Sequence, residues 1–372
     1  MKILYYLTPH GFGHACRAWA IAKEFSPRVE LIFRTTLPES IFREELTRPF
    51  AFFPEAFDCG CVQRDGVTLE KLQTLQKYRA LAEQNALRIE SEVDWVRRNH
   101  TDGIVADIPP FALEVARRAA LPSVAVGNFT WYDIYGPFVE KYPAFRPDLE
   151  KIQEQYAMAD LLLSLHPALE IPYFHRKMKM PLVGRKGKNV RTLVVEEYGL
   201  DPGKSLGLIY TGNFGMDRIP WKCLEKFSDW EFIGLYPLPG EPGNYHLFRR
   251  GGISYPDLIA SSEVMVSKIG YGTVAECMIN GTPLIFLPRA DFAEYPIMEK
   301  EILDSNFGYR LSPEDYFHLN WESALAEILS RGRPPAVDFR GARLCARVIE
   351  AFFEGIEIPV GPGRSILAPL EE

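Results

Sequence analysis

The chain has 372 residues, 47% hydrophobic and 24% charged, with a formal net charge of −7 at pH 7. That length exceeds one ordinary domain, and the composition describes a globular chain with two cores. The acidic balance argues against general nucleic-acid binding, which needs a basic face. No apolar run approaches the roughly 20 residues that span a bilayer, which leaves only peripheral membrane contact open.

Residues 3–7 read as a short buried strand entering the turn His10-Gly11-Phe12-Gly13-His14, with no small-residue cleavage site of a signal peptide nearby. Residues 14–25 are helical by period, with Ala15, Ala18, Ile21 and Ala22 on one face. A second strand comes next at 29–34, then a long helical pattern at 69–99. Residues 103–107 (GIVAD) form a strand ending in Asp107, 111–120 a helix and 123–127 (SVAVG) another strand. This alternation predicts a parallel sheet covered on both faces, with ligands gathered at the carboxyl ends of its strands. His14, Asp107 and Asn128 all fall at or just after predicted strands, so one cleft holds all three.

A basic, Gly- and Pro-containing stretch at 178–188 (MKMPLVGRKGK) reads as a hinge. The pattern then restarts with strands at 206–210, 232–235, 264–267 and 284–287, and an amphipathic helix at 344–353 precedes a Pro/Gly-rich tail. The expected domains are 1–182, 183–337, and a C-terminal helix and tail at 338–372. The six cysteines contain no Cys-x-x-Cys pair, and no His sits at zinc spacing beside Cys59-Gly60-Cys61. Cys16, Cys277 and Cys345 lie among apolar residues as small hydrophobes. No metal and a reducing, cytoplasmic setting are the expectations.

Residues 268–296 (KIGYGTVAECMINGTPLIFLPRADFAEYP) are the most informative stretch. Gly270 and Gly272 allow a tight turn and close approach of backbone to a ligand. A helix predicted from Thr273 would aim its free N–H groups and positive dipole end at an anion, such as a diphosphate. Glu276, one turn in on the same face, suits ribose hydroxyls. Asn280-Gly281-Thr282-Pro283 ends that helix.

This stretch resembles the donor-nucleotide loop of GT-B glycosyltransferases. It is also similar to the N-terminal glycosyltransferase-like region of plant L-arabinokinases, which carries similar KIGYGTV and R-x-D-x-F/A-x-E-x-P runs. The likeness extends through YYLTPHGFGHACR at 5–17, DCGCVQRDGVTLEKLQTLQKY at 58–78, VADIPP at 105–110 and NFTWYDIY at 128–135. It implies an α/β GT-B architecture: two Rossmann-like domains with parallel sheets facing a central cleft, and a C-terminal helix returning to the first. The implied activity is metal-independent hexosyl or pentosyl transfer from a nucleotide sugar, for example a UDP-linked one, to a small-molecule or glycan acceptor hydroxyl.

By the same resemblance, His14 is a catalytic base oriented by Asp107. A carboxylate on one imidazole nitrogen fixes the tautomer and raises the basicity of the other. The alternative for Asp107 is a cap on the helix after Pro109-Pro110. The turn Thr211-Gly212-Asn213-Phe214-Gly215 resembles the first phosphate-binding turn of a GT-B donor domain, and Lys268 is placed to neutralise a phosphate. Tyr271 and Thr273 complete the second turn. Arg289, Asp291 and Glu294 come after the LIFLP strand, where many relatives carry an Asp/Glu-Gln or Gln-Gln pair for donor-sugar hydroxyls; this chain has no Gln there. Asp58, Gln63 and Asp65, with Asn128, Trp131 and Asp133, are polar groups among aromatics that suit a sugar-like acceptor. The rival reading is a non-catalytic nucleotide-sugar or sugar-phosphate binding protein. A kinase reading lacks the Gly/Ser-rich phosphate loop, and a GT-B epimerase has no supporting motif.

Overall fold

The computed structural model describes residues 1–64, 68–210, 218–249, 251–289, 291–356 and 358. The chain divides into two compact units. Met1–Val62, Glu70–Val183 and the segment beginning at Arg340 make the first; Gln63–Leu69 and Gly184–Phe339 make the second.

The first unit runs β1 (Lys2–Leu7), α1 (Phe12–Glu24), β2 (Glu30–Arg34), α2 (Glu39–Glu45), β3 (Phe50–Phe53), α3 (Lys71–Arg98), β4 (Gly103–Asp107), α4 (Pro110–Ala119), β5 (Ser123–Gly127), α5 (Trp131–Lys141), α6 (Arg146–Ala157), β6 (Leu161–Leu165) and β7 (Lys177–Met180). Its seven strands are parallel, in the order β3-β2-β1-β4-β5-β6-β7. The central strands are continuous apolar runs because helices cover both faces; Leu4, Ile104, Val105 and Val124 have no exposed surface. Each such side chain contributes about 1.5–3 kcal/mol when fully buried. Gly11, at φ 100°, turns the chain from β1 into α1 through a backbone region that side chains disfavour.

The second unit runs α7 (Arg191–Tyr198), β8 (Ser205–Tyr210), β9 (Trp230–Gly234), β10 (Tyr245–Leu247), α8 (Tyr255–Ser261), β11 (Val264–Lys268), α9 (Tyr271–Asn280), β12 (Leu284–Leu287), α10 (Tyr295–Asp304), β13 (Gly308–Arg310), α11 (Pro313–Phe317) and α12 (Glu322–Arg331). Six parallel strands lie in the order β10-β9-β8-β11-β12-β13. One face of this sheet is filled by Trp221, Phe227, Phe232 and Trp321 among smaller apolar residues, with Phe227 and Trp321 stacked at 6.1 Å.

The last helix, α13 (Gly341–Phe353), returns to the first unit, where it packs on α1 and β7. There the Ser26 N–H donates to Glu350 Oε1 at 2.6 Å. Both sheets reverse strand order beside their first strand, between β1 and β4 and between β8 and β11, and the crevice outside such a point is where open α/β sheets bind ligands. The stretch expected to be a hinge begins as strand β7, and the chain is irregular only after Met180. Among the described residues no helix is long and apolar enough to cross a membrane.

Candidate active site

In the first unit, Leu7 and Asp107 are register partners at the carboxyl ends of β1 and β4, and the Thr8 N–H extends the ladder to the Asp107 carbonyl at 2.8 Å. His14 lies in the first turn of α1. Its Nδ1 is 2.8 Å from Asp107 Oδ1, and among the described residues its Nε2 has no hydrogen-bond partner. Asp107 is 0% exposed and does not cap α4, whose N-cap is Pro109 with no side-chain bond.

Arg17, which no motif in the sequence singles out, completes the cluster. It sits one turn after His14, on the same face of α1. Its Nε donates to Asp107 Oδ2 at 2.7 Å, Nη2 to Oδ1 at 2.5 Å and Nη1 to Asn128 Oδ1 at 2.8 Å. Nη2 also lies 2.8 Å from His14 Nδ1. The signal in the sequence is the His-x-x-Arg spacing at the start of a helix that faces a strand-end acid.

Burial alone would raise the Asp107 pKa, but the charge and hydrogen bonds of Arg17, joined by His14, outweigh it and hold the carboxyl below its usual range. For His14, burial and then the Arg17 charge lower the imidazole pKa, against the opposing pull of Asp107. The ring is therefore neutral at pH 7, as a general base must be.

The other residues expected to meet an acceptor are mostly engaged inside the protein. Asp58 is 1% exposed, accepting from the Thr8 hydroxyl at Oδ1 and from Trp131 Nε1 at Oδ2, both at 2.7 Å. Burial pushes its carboxyl up to about 7. Trp131 is fully buried and stacks on Tyr135 at 5.4 Å. Asn128 is fully buried on Arg17. Asp133 closes a capping box with Thr130 at the start of α5, and Tyr173 donates to the same carboxylate oxygen at 3.1 Å. Gln63 pairs with Leu69 in an isolated bridge, and Asp65 lies outside the described residues.

In the second unit, Tyr210 and Ser267 are register partners near the carboxyl ends of β8 and β11, and the Ser267 hydroxyl donates to the Tyr210 carbonyl at 2.6 Å. Thr211, Gly212, Asn213 and Gly215, which come after β8, lie outside the described residues. From β11 the chain passes Lys268 into α9. That helix starts at Tyr271, two residues before the expected Thr273, with Gly270 as N-cap and no side-chain cap. The N–H groups of Tyr271, Gly272 and Thr273 thus belong to its first turn, which has no carbonyl partner within the helix.

Gly270 is extended (φ −174°), a conformation open to any residue, and a Cβ there would meet no atom of the described residues within 4 Å. Among the described residues nothing demands glycine at this position, which leaves space between them beside the helix end. Burial, and then the charge of Arg289, lower the Lys268 ammonium to about 8. Arg289 comes after β12, the neighbour of β11, and lies over the Phe292 ring at 5.1 Å. Asp291 is half-buried; Glu294 is buried at the N-cap position of α10.

Glu276, expected to suit ribose hydroxyls, is already engaged within the protein. It is 3% exposed and bound by Arg185, with Nε donating to Oε1 at 2.6 Å and Nη2 to Oε2 at 3.2 Å. The segment from Arg185 to Gly187 is laced along α9: Lys186 Nζ donates to the Ile279 carbonyl, and Asn280 bonds the Gly187 N–H and the Arg185 carbonyl.

No family model matches the chain. Its sequence is 28% identical over 354 residues to an L-arabinokinase of Arabidopsis thaliana, covering 93% of this chain and 34% of that protein. The chain thus spans about a third of the L-arabinokinase it matches. An uncharacterized glycosyltransferase of Methanopyrus kandleri is 21% identical over 280 residues, covering 70% of this chain and 78% of the relative. Among solved structures, the glycotransferase of kitacinnamycin superposes with a TM-score of 0.61 at 14% identity, covering 94% of this chain and 98% of that one.

The chain has the GT-B glycosyltransferase fold. A Listeria monocytogenes protein described as a UDP-N-acetylglucosamine 2-epimerase also superposes, with a TM-score of 0.56 at 14% identity, covering 96% of this chain and 98% of that one. The GT-B fold therefore accommodates more than one reaction, and the chemistry has to be argued from the site.

Proposed function

We propose that this protein is a metal-independent glycosyltransferase, hexosyl or pentosyl, moving a sugar from a nucleotide sugar to an acceptor hydroxyl. The observation that carries this reading is the His14 imidazole, with Nδ1 2.8 Å from buried Asp107 and Nε2 left without a partner among the described residues. Nε2 takes the acceptor proton as the oxygen attacks the sugar C1 and the bond from C1 to the diphosphate oxygen breaks. The leaving diphosphate is stabilised by the first turn of α9 with Lys268 and Arg289, which replace a metal ion as the source of positive potential.

The test is turnover of a panel of nucleotide sugars with and without acceptors, following nucleoside diphosphate release in the presence of EDTA. Release that depends on both acceptor and His14 supports the reading; loss of activity in EDTA would remove its metal-independent part. A second reading, a binding protein without transfer chemistry, is favoured by the match to one third of an L-arabinokinase. It predicts thermal stabilisation of roughly 2.7 kcal/mol at 100 times the dissociation constant, with no release. Formation of an epimer without acceptor, or phosphate transfer from ATP to a pentose, would overturn both.

A further inference from the structure

His14, Asp107 and Arg17 do not form a simple imidazole–carboxylate pair. Arg17 Nη2, Asp107 Oδ1 and His14 Nδ1 make a triangle with edges of 2.5, 2.8 and 2.8 Å. An ionised carboxylate accepts only, and a guanidinium donates only. Nδ1 therefore has two possible partners with opposite demands. If Nδ1 carries the proton, it donates to Asp107 and Nε2 is the base. If Nδ1 is bare, it accepts from Arg17, and Nε2 carries a proton that it can only donate.

We infer that Arg17 is a positioning residue that shares Asp107 with His14 and contests the imidazole Nδ1, and so sets the tautomer and the charge from which His14 acts. Three features of the geometry support this. Arg17 is 1% exposed, so it meets no substrate. Its remaining arm is anchored on Asn128, which fixes the guanidinium plane. It also takes both oxygens of Asp107, so the carboxylate is no longer available to stabilise an imidazolium alone.

The surrounding titratable groups are Tyr5 on β1 and Cys345 on α13, both buried, with Asp58 beyond Asp107. Those acting on His14 itself are Arg17 and Asp107, and the Arg17 charge works against protonation of the ring. The role of His14 as base rests on the transferase reading; the positioning role of Arg17 does not.

Ring ¹⁵N shifts of the full chain, recorded against pH and assigned by comparison with His14→Gln, report both tautomer and titration midpoint without any substrate. In the wild type, His14 is expected to titrate below the ordinary histidine value. Arg17→Gln should move the midpoint up and shift the neutral ring toward the Nδ1–H form. Arg17→Lys, which keeps the charge, should leave the midpoint low. In turnover assays the acid limb of the pH–rate profile of Arg17→Gln should move up with the midpoint. Because Asp107 then loses the guanidinium that fixes both its oxygens, kcat should still fall, though by less than the roughly 10²–10⁴-fold that loss of a general base costs, with the donor KM unchanged. A wild-type midpoint above the ordinary value would overturn the inference even if Arg17→Gln fails to fold. So would an Arg17→Gln protein whose melting temperature falls while midpoint and tautomer stay put. A chain that shows the expected titration but turns over no nucleotide sugar sinks the transferase reading and keeps the Arg17 assignment.

Discussion

Arg185 holds both oxygens of Glu276, at 2.6 and 3.2 Å, and neither side chain has more than a few per cent of its surface in solvent. The carboxylate best placed by sequence to bind a ribose is thus one half of a buried ion pair that ties the segment after Val183 to α9.

Removing one member of such a pair leaves the other charged and buried, at a cost of about 3–5 kcal/mol, whereas removing both is far milder. Glu276→Ala and Arg185→Met are therefore each expected to lower stability by that amount, and the two combined to recover most of it. Urea denaturation of the single and double variants, read as a double-mutant cycle, measures the coupling. A Glu276→Ala protein as stable as wild type would mean the pair is not formed.

For the base, His14→Ala is expected to lose transfer by about 10²–10⁴-fold. Donor affinity should stay nearly unchanged, because His14 belongs to the first unit and the candidate phosphate-binding residues to the second. Asp107→Asn should lose a similar amount or less, and the double variant no more than the larger single loss. Since Asp107→Asn also strands Arg17, its folding is to be checked first by circular dichroism. Full activity in His14→Ala would move the base elsewhere.

At Gly270 the backbone tolerates any residue and a Cβ meets nothing among the described residues. Gly270→Ala should fold with wild-type stability yet bind nucleoside diphosphate at least tenfold more weakly, about 1.4 kcal/mol, because the methyl group enters the space a phosphate would use. Unchanged affinity by calorimetry would show that the phosphates lie elsewhere.

Lys268, lowered to about 8 by burial and by Arg289, should make diphosphate affinity pH-dependent. The free site loses its proton as the pH rises through about 8, while a bound anion retains it, so affinity falls above that pH. Lys268→Met should abolish this dependence and cost about 1.5–3 kcal/mol of binding at pH 7. Titrations at pH 7 and pH 9 for both proteins decide the point.

Asp58 offers a test of the fold around the base. Burial raises its carboxyl from 3.8 to about 7, so between these values the folded protein holds a proton that the unfolded chain has released. Its contribution to stability is complete below about 4 and is lost as the pH rises through about 7. Asp58→Asn has no such proton to lose; its amide oxygen can face Trp131 Nε1 and its NH2 group the Thr8 hydroxyl. The variant is expected to gain on the wild type between pH 5 and pH 8 in chemical denaturation. A constant difference across that range would show that Asp58 titrates normally.

Much of the fold is legible because both sheets are parallel and buried. GIVAD, SVAVG and LIFL are short apolar runs bounded by turn residues, and each is a strand over the expected residues. The outer strands β7 and β10 carry no comparable run; KMKM at β7 alternates basic residues with buried methionines and reads locally as part of a hinge. Helix α9 starts two residues before its expected Thr273 because Gly270, not a Ser, Thr or Asp, is its N-cap, so the usual polar signal is absent.

The sequence by itself determined which residues reach the carboxyl ends of the strands, since strand ends, glycine turns and helix faces are written in local patterns of a few residues. That is why His14 and Asp107, and separately Lys268 and Gly270, stand out in the sequence. Only the tertiary structure decided the partners. Arg17 meets Asp107 across 90 residues, and Arg185 meets Glu276 across 91. Which charge a buried carboxylate accepts depends on the strand order and register that bring distant turns together, and an Arg on a helix reads the same locally whether it faces solvent or an acid. That choice makes Glu276 half of an ion pair, and makes a three-membered cluster of the expected His–Asp pair.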